Sequence, residues 1–279
     1  MLAGMPVRLY PCTPTRLTTW LDCPRRYRFS YLERPQPAKG PPWAHNSVGA
    51  AVHSALADWW SQPFAARTPA AGVAAVRRRW LSDGFADEKQ SARVRELAAG
   101  WVSEYLSRVD AAQEPAGVER VVSTPTRTLV LSGRADRIDE RPDDAGGRSL
   151  VVVDYKTGRW VPDPDTARSS LALAIYAVAA ARTLRRPCHR VELHHLPSGA
   201  VASAEHGQAG LRRKVAEAES IAADCSAADQ RWKAGLSTDA VDQVFPAQPS
   251  SLCSWCDWRR HCPEGQAAAP EVEPWSALP

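Results

Sequence analysis

Gly133-Arg134-Ala135-Asp136-Arg137-Ile138-Asp139, and then Leu150-Val151-Val152-Val153-Asp154-Tyr155-Lys156-Thr157-Gly158, are the two stretches on which the reading of this chain turns. The second opens on four unbroken apolar residues, the pattern of a strand covered on both faces. Alternate side chains of a strand point the same way, so Asp154 and Lys156 share one face at the strand's exit. Core packing does not explain an acid and a base there, because burying a charge is costly unless it is paired or bound to a metal. Asp136, on the neighbouring strand, can face the same spot. Two carboxylates and a lysine at one end of a sheet suit Mg²⁺ or Mn²⁺ with a charge nearby to position water. The plainer alternative is an Asp–Lys ion pair at a strand end.

Outward from this pair, Val118–Ser123, Thr126–Ser132 and Gly133–Asp139 read as strands, with a turn over residues 141–148. Thr166–Leu184 is an Ala-rich helix, apolar nearly all round and therefore buried. Val191–Leu196 and Ala200–Ala204 form a hairpin, and Gln208–Ala234 a further helix. Upstream the pattern is helical over Pro14–Leu32, Ser47–Trp60 and Ala70–Arg108, with a proline-rich linker after Arg34. The class is α/β. A single domain is expected over 1–265, its parts falling at 14–116, 117–206 and 207–265. A poorly ordered Ala/Pro tail is expected over 266–279.

Composition sets wider limits. The chain has 279 residues, 44% hydrophobic and 24% charged, which excludes a wholly disordered or collagen-like protein. The longest charge-free apolar run, Ser169–Ala181, is shorter than the ~20 residues a membrane span needs. The start lacks a signal-peptide pattern, so a cytoplasmic location is expected, with no membrane partner. The net charge of +4 is small, but the first forty residues carry Arg8, Arg16, Arg25, Arg26, Arg28, Arg34 and Lys39 against Asp22 and Glu33. That local excess suits an anionic partner such as nucleic acid, or simply a solvated charged face.

His53 shares a helix face with Gly49, Leu56 and Trp60. It therefore points inward, as a satisfied core histidine or as a ligand. Of seven cysteines, Cys253, Cys256 and Cys262 form C-x2-C-x5-C, while Cys12, Cys188 and Cys225 are scattered. Clustered cysteines in a reducing compartment favour metal ligation over disulfides. An iron–sulfur cluster needs a fourth thiolate, for which Cys23 is favoured. Zinc completed by His261 is the alternative, although His261 adjoins Cys262. Trp255 and Trp258 are placed to shield such a centre.

His53, Asp136, Asp154-Tyr155-Lys156 and the set Cys23, Cys253, Cys256 and Cys262 together resemble the PD-(D/E)XK nucleases of the RecB type. The closest subgroup carries a [4Fe–4S] cluster and includes AddB-type and CRISPR-associated RecB-like exonucleases. The resemblance runs from about Pro14 to Pro263. It implies a restriction-endonuclease-like core, a central mixed sheet flanked by helices, with an N-terminal helical region and a C-terminal iron–sulfur segment. It also implies that His53, Asp136, Asp154 and the Tyr155 carbonyl hold Mg²⁺ or Mn²⁺. Lys156 would orient the attacking water and stabilise charge, and the cluster would tie the N-terminal helix to the C-terminal segment. One departure stands out: the family often has Gln four residues before the tyrosine of the following helix, and here Ala172 precedes Tyr176. Arg25, Arg26 and Tyr176 are the candidate nucleic-acid contacts. There is no phosphate-binding loop of the helicase type. The expected activity is a metal-dependent DNA exonuclease acting on single strands or ends in repair or recombination. The rival is a nuclease-fold binding or scaffold module working with a helicase partner.

Overall fold

The two quoted segments become adjacent strands at the centre of one mixed sheet. The computed structural model describes residues 9–143 and 146–279; Arg8 and the middle of the turn at 144–145 lie outside the described residues. The strands are β1 (Tyr10–Cys12), β2 (Gly117–Pro125), β3 (Leu129–Pro142), β4 (Arg148–Lys156), β5 (Cys188–His195) and β6 (Ala200–Glu205). They follow the order β1-β3-β4-β5-β6, with β2 on the other edge of β3. The β1–β3 and β4–β5 pairings are parallel and the rest antiparallel.

One strand, β3, replaces the two expected over Thr126–Ser132 and Gly133–Asp139. Nothing between Ser132 and Gly133 forces a turn, so the chain runs on. Along one edge, β3 pairs with β1 through Leu129–Leu131 and with β4 only from Arg137 onward. The strands part between these points, and Asp136 sits in the split.

The apolar start of β4 is covered on both sides, as its pattern predicts. Val151, Val153 and Tyr155 pack against α3 (Ala44–Trp60) and α5 (Glu88–Leu106) through Leu56, Trp60, Val102 and Tyr105. Leu150 and Val152 face α7 (Leu171–Leu184), meeting Leu173 and Ala177. A third cluster joins α1 (Pro14–Asp22) and α2 (Pro24–Tyr31) to α8 (Gln208–Ala234) and the first half of β3.

Three expected helices are each broken in two. Pro14–Leu32 breaks at Cys23, whose backbone is extended (φ −170°, ψ 114°) because Pro24 disfavours a helical residue before it. The Ala70–Arg108 region splits into α4 (Pro69–Arg79) and α5. Gly84 lies between them at φ +84°, where a Cβ would fall 2.4 Å from the Pro42 carbonyl oxygen. Thr166–Leu184 divides at Ser170, whose side chain accepts from the Leu173 amide and starts α7 after the short α6 (Pro164–Ser169). The Ala/Pro segment after 266, expected as a loose tail, packs instead. Pro274 accepts from the Ala44 amide at 3.2 Å and Leu278 lies against the α3–α5 core. No helix among the described residues is long and apolar enough to cross a membrane.

Candidate active site

Where β3 and β4 diverge, ladder bonding gives way to side-chain chemistry. The Tyr155 amide, beyond the last β3 partner, donates to Asp136 Oδ2 at 2.8 Å. His53 comes from α3, one turn after Gly49, which packs under Thr157 with room for only ordinary contact (a Cβ would lie 3.5 Å from its Oγ1). Its Nδ1 lies 3.3 Å from Asp136 Oδ1 and its Nε2 3.2 Å from the Tyr155 carbonyl oxygen. Both ring nitrogens thus face acceptors, and a neutral imidazole can donate to only one of them. Either the ring is protonated or a cation must intervene. Burial works against protonation of His53, but the Asp136 hydrogen bond and the Asp136 and Asp154 charges outweigh it and move its pKa up.

Asp154 leaves β4 on the same side as Asp136. Its Oδ2, shielded from water, meets the Lys156 ammonium at 2.5 Å. Burial raises the Asp154 pKa; Lys156 opposes that rise and the Asp136 charge adds to it. The open cleft beside these groups measures about 760 Å³ and is lined by His53, Asp136, Glu119 and Tyr176 among others. Tyr176 presses on the bare face of Gly133, where a Cβ would be 2.3 Å from its ring. Its hydroxyl is pushed up to about 12 by burial and the two aspartates, so it remains a donor at neutral pH. His53, Glu119 and Asp136 each offer a ligand atom within 4.8 Å of the others.

The family model of the PD-(D/E)XK nuclease superfamily matches residues 11–263. The chain belongs to that superfamily. Its members are metal-dependent nucleases, and the carboxylate–imidazole set at the strand split is chemically fitted to a hard divalent cation. No curated protein sequence matches the chain. The crystal structure of SSO0001 is similar at 14% sequence identity and a TM-score of 0.37, over 94% of this chain and 89% of that one.

This PD-(D/E)XK nuclease has a second candidate centre, a cysteine pocket outside the cleft. Cys23, at the break between α1 and α2, lines one pocket with Cys253, Cys256 and Cys262. Backbone amides of Gln248, Ser250 and Gly265 point at the sulfurs of Cys23, Cys253 and Cys262 at 3.4–3.5 Å. His261 turns away, its Nε2 2.9 Å from the Ala38 carbonyl. Trp258 lines the pocket, whereas Trp255 packs on Trp43 with ring centres 5.1 Å apart. Cys12, Cys188 and Cys225 are buried elsewhere.

The basic N-terminal segment is largely neutralised by acids, most of them distant in sequence. Arg16 pairs with Asp229, Arg28 with Glu33 and Lys39 with Asp257. Arg25, expected at a phosphate, is only 7% exposed; it pairs with Glu264 and Asp242 and approaches Cys262 Sγ. It serves the cysteine pocket rather than an open surface. Arg26 stays accessible beside Asp22.

Two residues escaped the sequence reading. Glu119 carries no motif, and only the β2–β3 register brings it to Asp136. Trp160, four residues beyond Lys156, is 89% exposed; a large aromatic so close to a suspected catalytic strand end was the available signal.

Proposed function

We propose that this nuclease is a metal-dependent deoxyribonuclease of the RecB type, an exonuclease acting on single-stranded DNA or DNA ends in repair or recombination. The observation that carries this reading is the convergence of His53, Asp136, Asp154 and the Tyr155 carbonyl at the strand split, with Lys156 beside them. These groups would hold Mg²⁺ or Mn²⁺. Such an ion polarises the phosphate and makes a bound water more acidic. Asp136 fixes the β4 backbone through the Tyr155 amide and so sets the direction of the carbonyl. Lys156 brings a cation to the pentacovalent phosphate and orients the attacking water, while Asp154 holds the ammonium in place. Tyr176 offers a hydroxyl donor from the opposite wall. Arg26 is the remaining phosphate contact of the N-terminal segment. Trp160 supports a single-stranded substrate, because an exposed indole stacks on an unpaired base but not on one inside a duplex.

The cysteine pocket supports a [4Fe–4S] cluster of the AddB-like kind. Four thiols and amide donors to three of their sulfurs fit that group. It would join the α1–α2 break to the C-terminal segment. Anaerobically prepared protein is expected to contain about four irons per chain, with iron lost and the fold weakened in Cys23→Ser. Stoichiometric zinc without iron would overturn this assignment. Degradation of 5′- and 3′-blocked single strands in Mn²⁺ tests the exonuclease and gives its polarity. Binding without cleavage would instead favour a DNA-gripping module beside a helicase, the role that Ala172 in place of the common Gln would then explain.

A further inference from the structure

Glu119 lies opposite Asp136 in the β2–β3 ladder. Val118 pairs with Arg137 and Arg120 with Ala135, so the register sets the two acids face to face, yet these two residues themselves are not paired. Residues directly opposite in an antiparallel pair have their Cβ atoms ~5 Å apart, and like charges there are destabilising. Glu119 is turned into the cleft by a left-handed backbone (φ +46°). Arg134 meets its Oε2 at 3.0 Å, but that arginine is mainly in solvent. Three groups that repel or mismatch one another therefore share a small space. Two are carboxylates, and the third is a histidine whose two nitrogens both look at oxygen acceptors.

Resting on the metal-nuclease reading above, we propose that Glu119 is a further ligand of the cation in this cleft, completing with His53 and Asp136 a site for a divalent ion that prefers Mn²⁺ to Mg²⁺. A cation would relieve the Glu119–Asp136 repulsion and, by taking an imidazole lone pair, would remove the mismatch between the His53 ring and its two acceptors. The ligand from β2 adds to those supplied by α3, β3 and β4, and closes the side of the cleft away from Lys156. An imidazole nitrogen among oxygen ligands favours Mn²⁺, since Mg²⁺ keeps to oxygen and water.

Calorimetric titration of the full-length protein with Mn²⁺, and separately with Mg²⁺, tests this without relying on cleavage. Glu119→Gln keeps the shape and removes the charge. It is expected to weaken Mn²⁺ binding by on the order of tenfold or more and to narrow the preference over Mg²⁺. Glu119→Asp should fall between it and the wild type. Arg134→Ala, which frees the carboxylate, should leave Mn²⁺ affinity unchanged or tighter. Wild-type affinity in both Glu119 variants overturns the proposal, as does an equal loss in Glu119→Gln and Arg134→Ala, the mark of a purely structural pair. Asp136→Asn separates the two levels of the argument. If it loses Mn²⁺ while Glu119→Gln does not, Glu119 alone is misassigned. If it binds like the wild type, the cleft is not a metal centre.

Discussion

The sheet carries charged groups on both faces, and the two sets are built on opposite terms. On the face under α5, Arg137 and Arg141 hold Asp139, and Arg141 and Arg190 hold Glu192. His194 bonds Glu192 through Nε2 at 2.8 Å and faces the Tyr105 hydroxyl through Nδ1 at 2.9 Å. Arg137 also donates to the Tyr105 and Tyr155 hydroxyls. Both Glu192 oxygens and Asp139 Oδ2 accept hydrogen bonds there, and Asp139 Oδ1 pairs with the Arg137 guanidinium at 2.9 Å. On the cleft face, Asp136, Asp154 and Glu119 crowd together with Lys156 and a solvent-exposed arginine, and His53 faces two acceptors. A structural network closes its own valences, whereas a site that awaits an ion leaves them open. Tyr155 links the two: its hydroxyl is anchored in the closed network and its carbonyl is turned to the open one.

Breaking each side should therefore have different consequences. The largest effect is expected from Asp154→Asn, which should reduce cleavage to background while the Tm falls little or rises, because burial already disfavours that carboxylate's charge. A large loss of Tm would place Asp154 with the structural network instead. Arg137→Leu should do the reverse. It leaves Asp139 buried with its main partner gone, a cost of roughly 3–5 kcal/mol, read by chemical denaturation, with cleavage per folded molecule largely kept.

Acid sharpens the contrast. Burial raises the pKa of Glu192, but hydrogen bonds from His194 and Arg141 prevail and hold it at about 2. A carboxyl lowered in the folded state contributes stability above its unfolded value near 4.3, and that contribution is lost as the pH falls from there toward 2, up to about 3 kcal/mol. His194 is kept neutral, chiefly by burial. The unfolded chain takes up that proton below about 6.5, so the loss of stability begins there. Melting curves across this range should show a decline in two stages, and Glu192→Gln should flatten the lower one. The smallest effect is expected from Trp160→Ala: single-stranded DNA binding weaker by about 1–3 kcal/mol in a titration, with duplex binding unchanged.

Much of the site was legible because it depends on short-range order. The alternation of Asp154 and Lys156, the apolar run before them and the helical phase of His53 are properties of single elements. Membership of the superfamily, the mixed sheet and the helices around it agree with that reading. What escaped it depends on pairing between distant segments. Glu119 reaches Asp136 only through strand register. Arg25 reads as a surface cation until Asp242 and Glu264 arrive from more than two hundred residues away. The split of β3 between β1 and β4, which exposes Asp136, follows from topology that no local pattern encodes. The helix break at Cys23 was written in Pro24 and missed, though it is what turns that thiol toward the C-terminal cysteines.

The central claim is that the open face of β3–β4 is a metal-dependent phosphodiesterase. The most direct test follows a labelled single-stranded oligonucleotide incubated with purified full-length protein in Mn²⁺, and again after the metal is removed by chelation. The account predicts degradation in Mn²⁺, none in the chelator, and recovery when Mn²⁺ is returned. Cleavage that persists undiminished in the chelator, or an intact oligonucleotide under every metal condition, would contradict it.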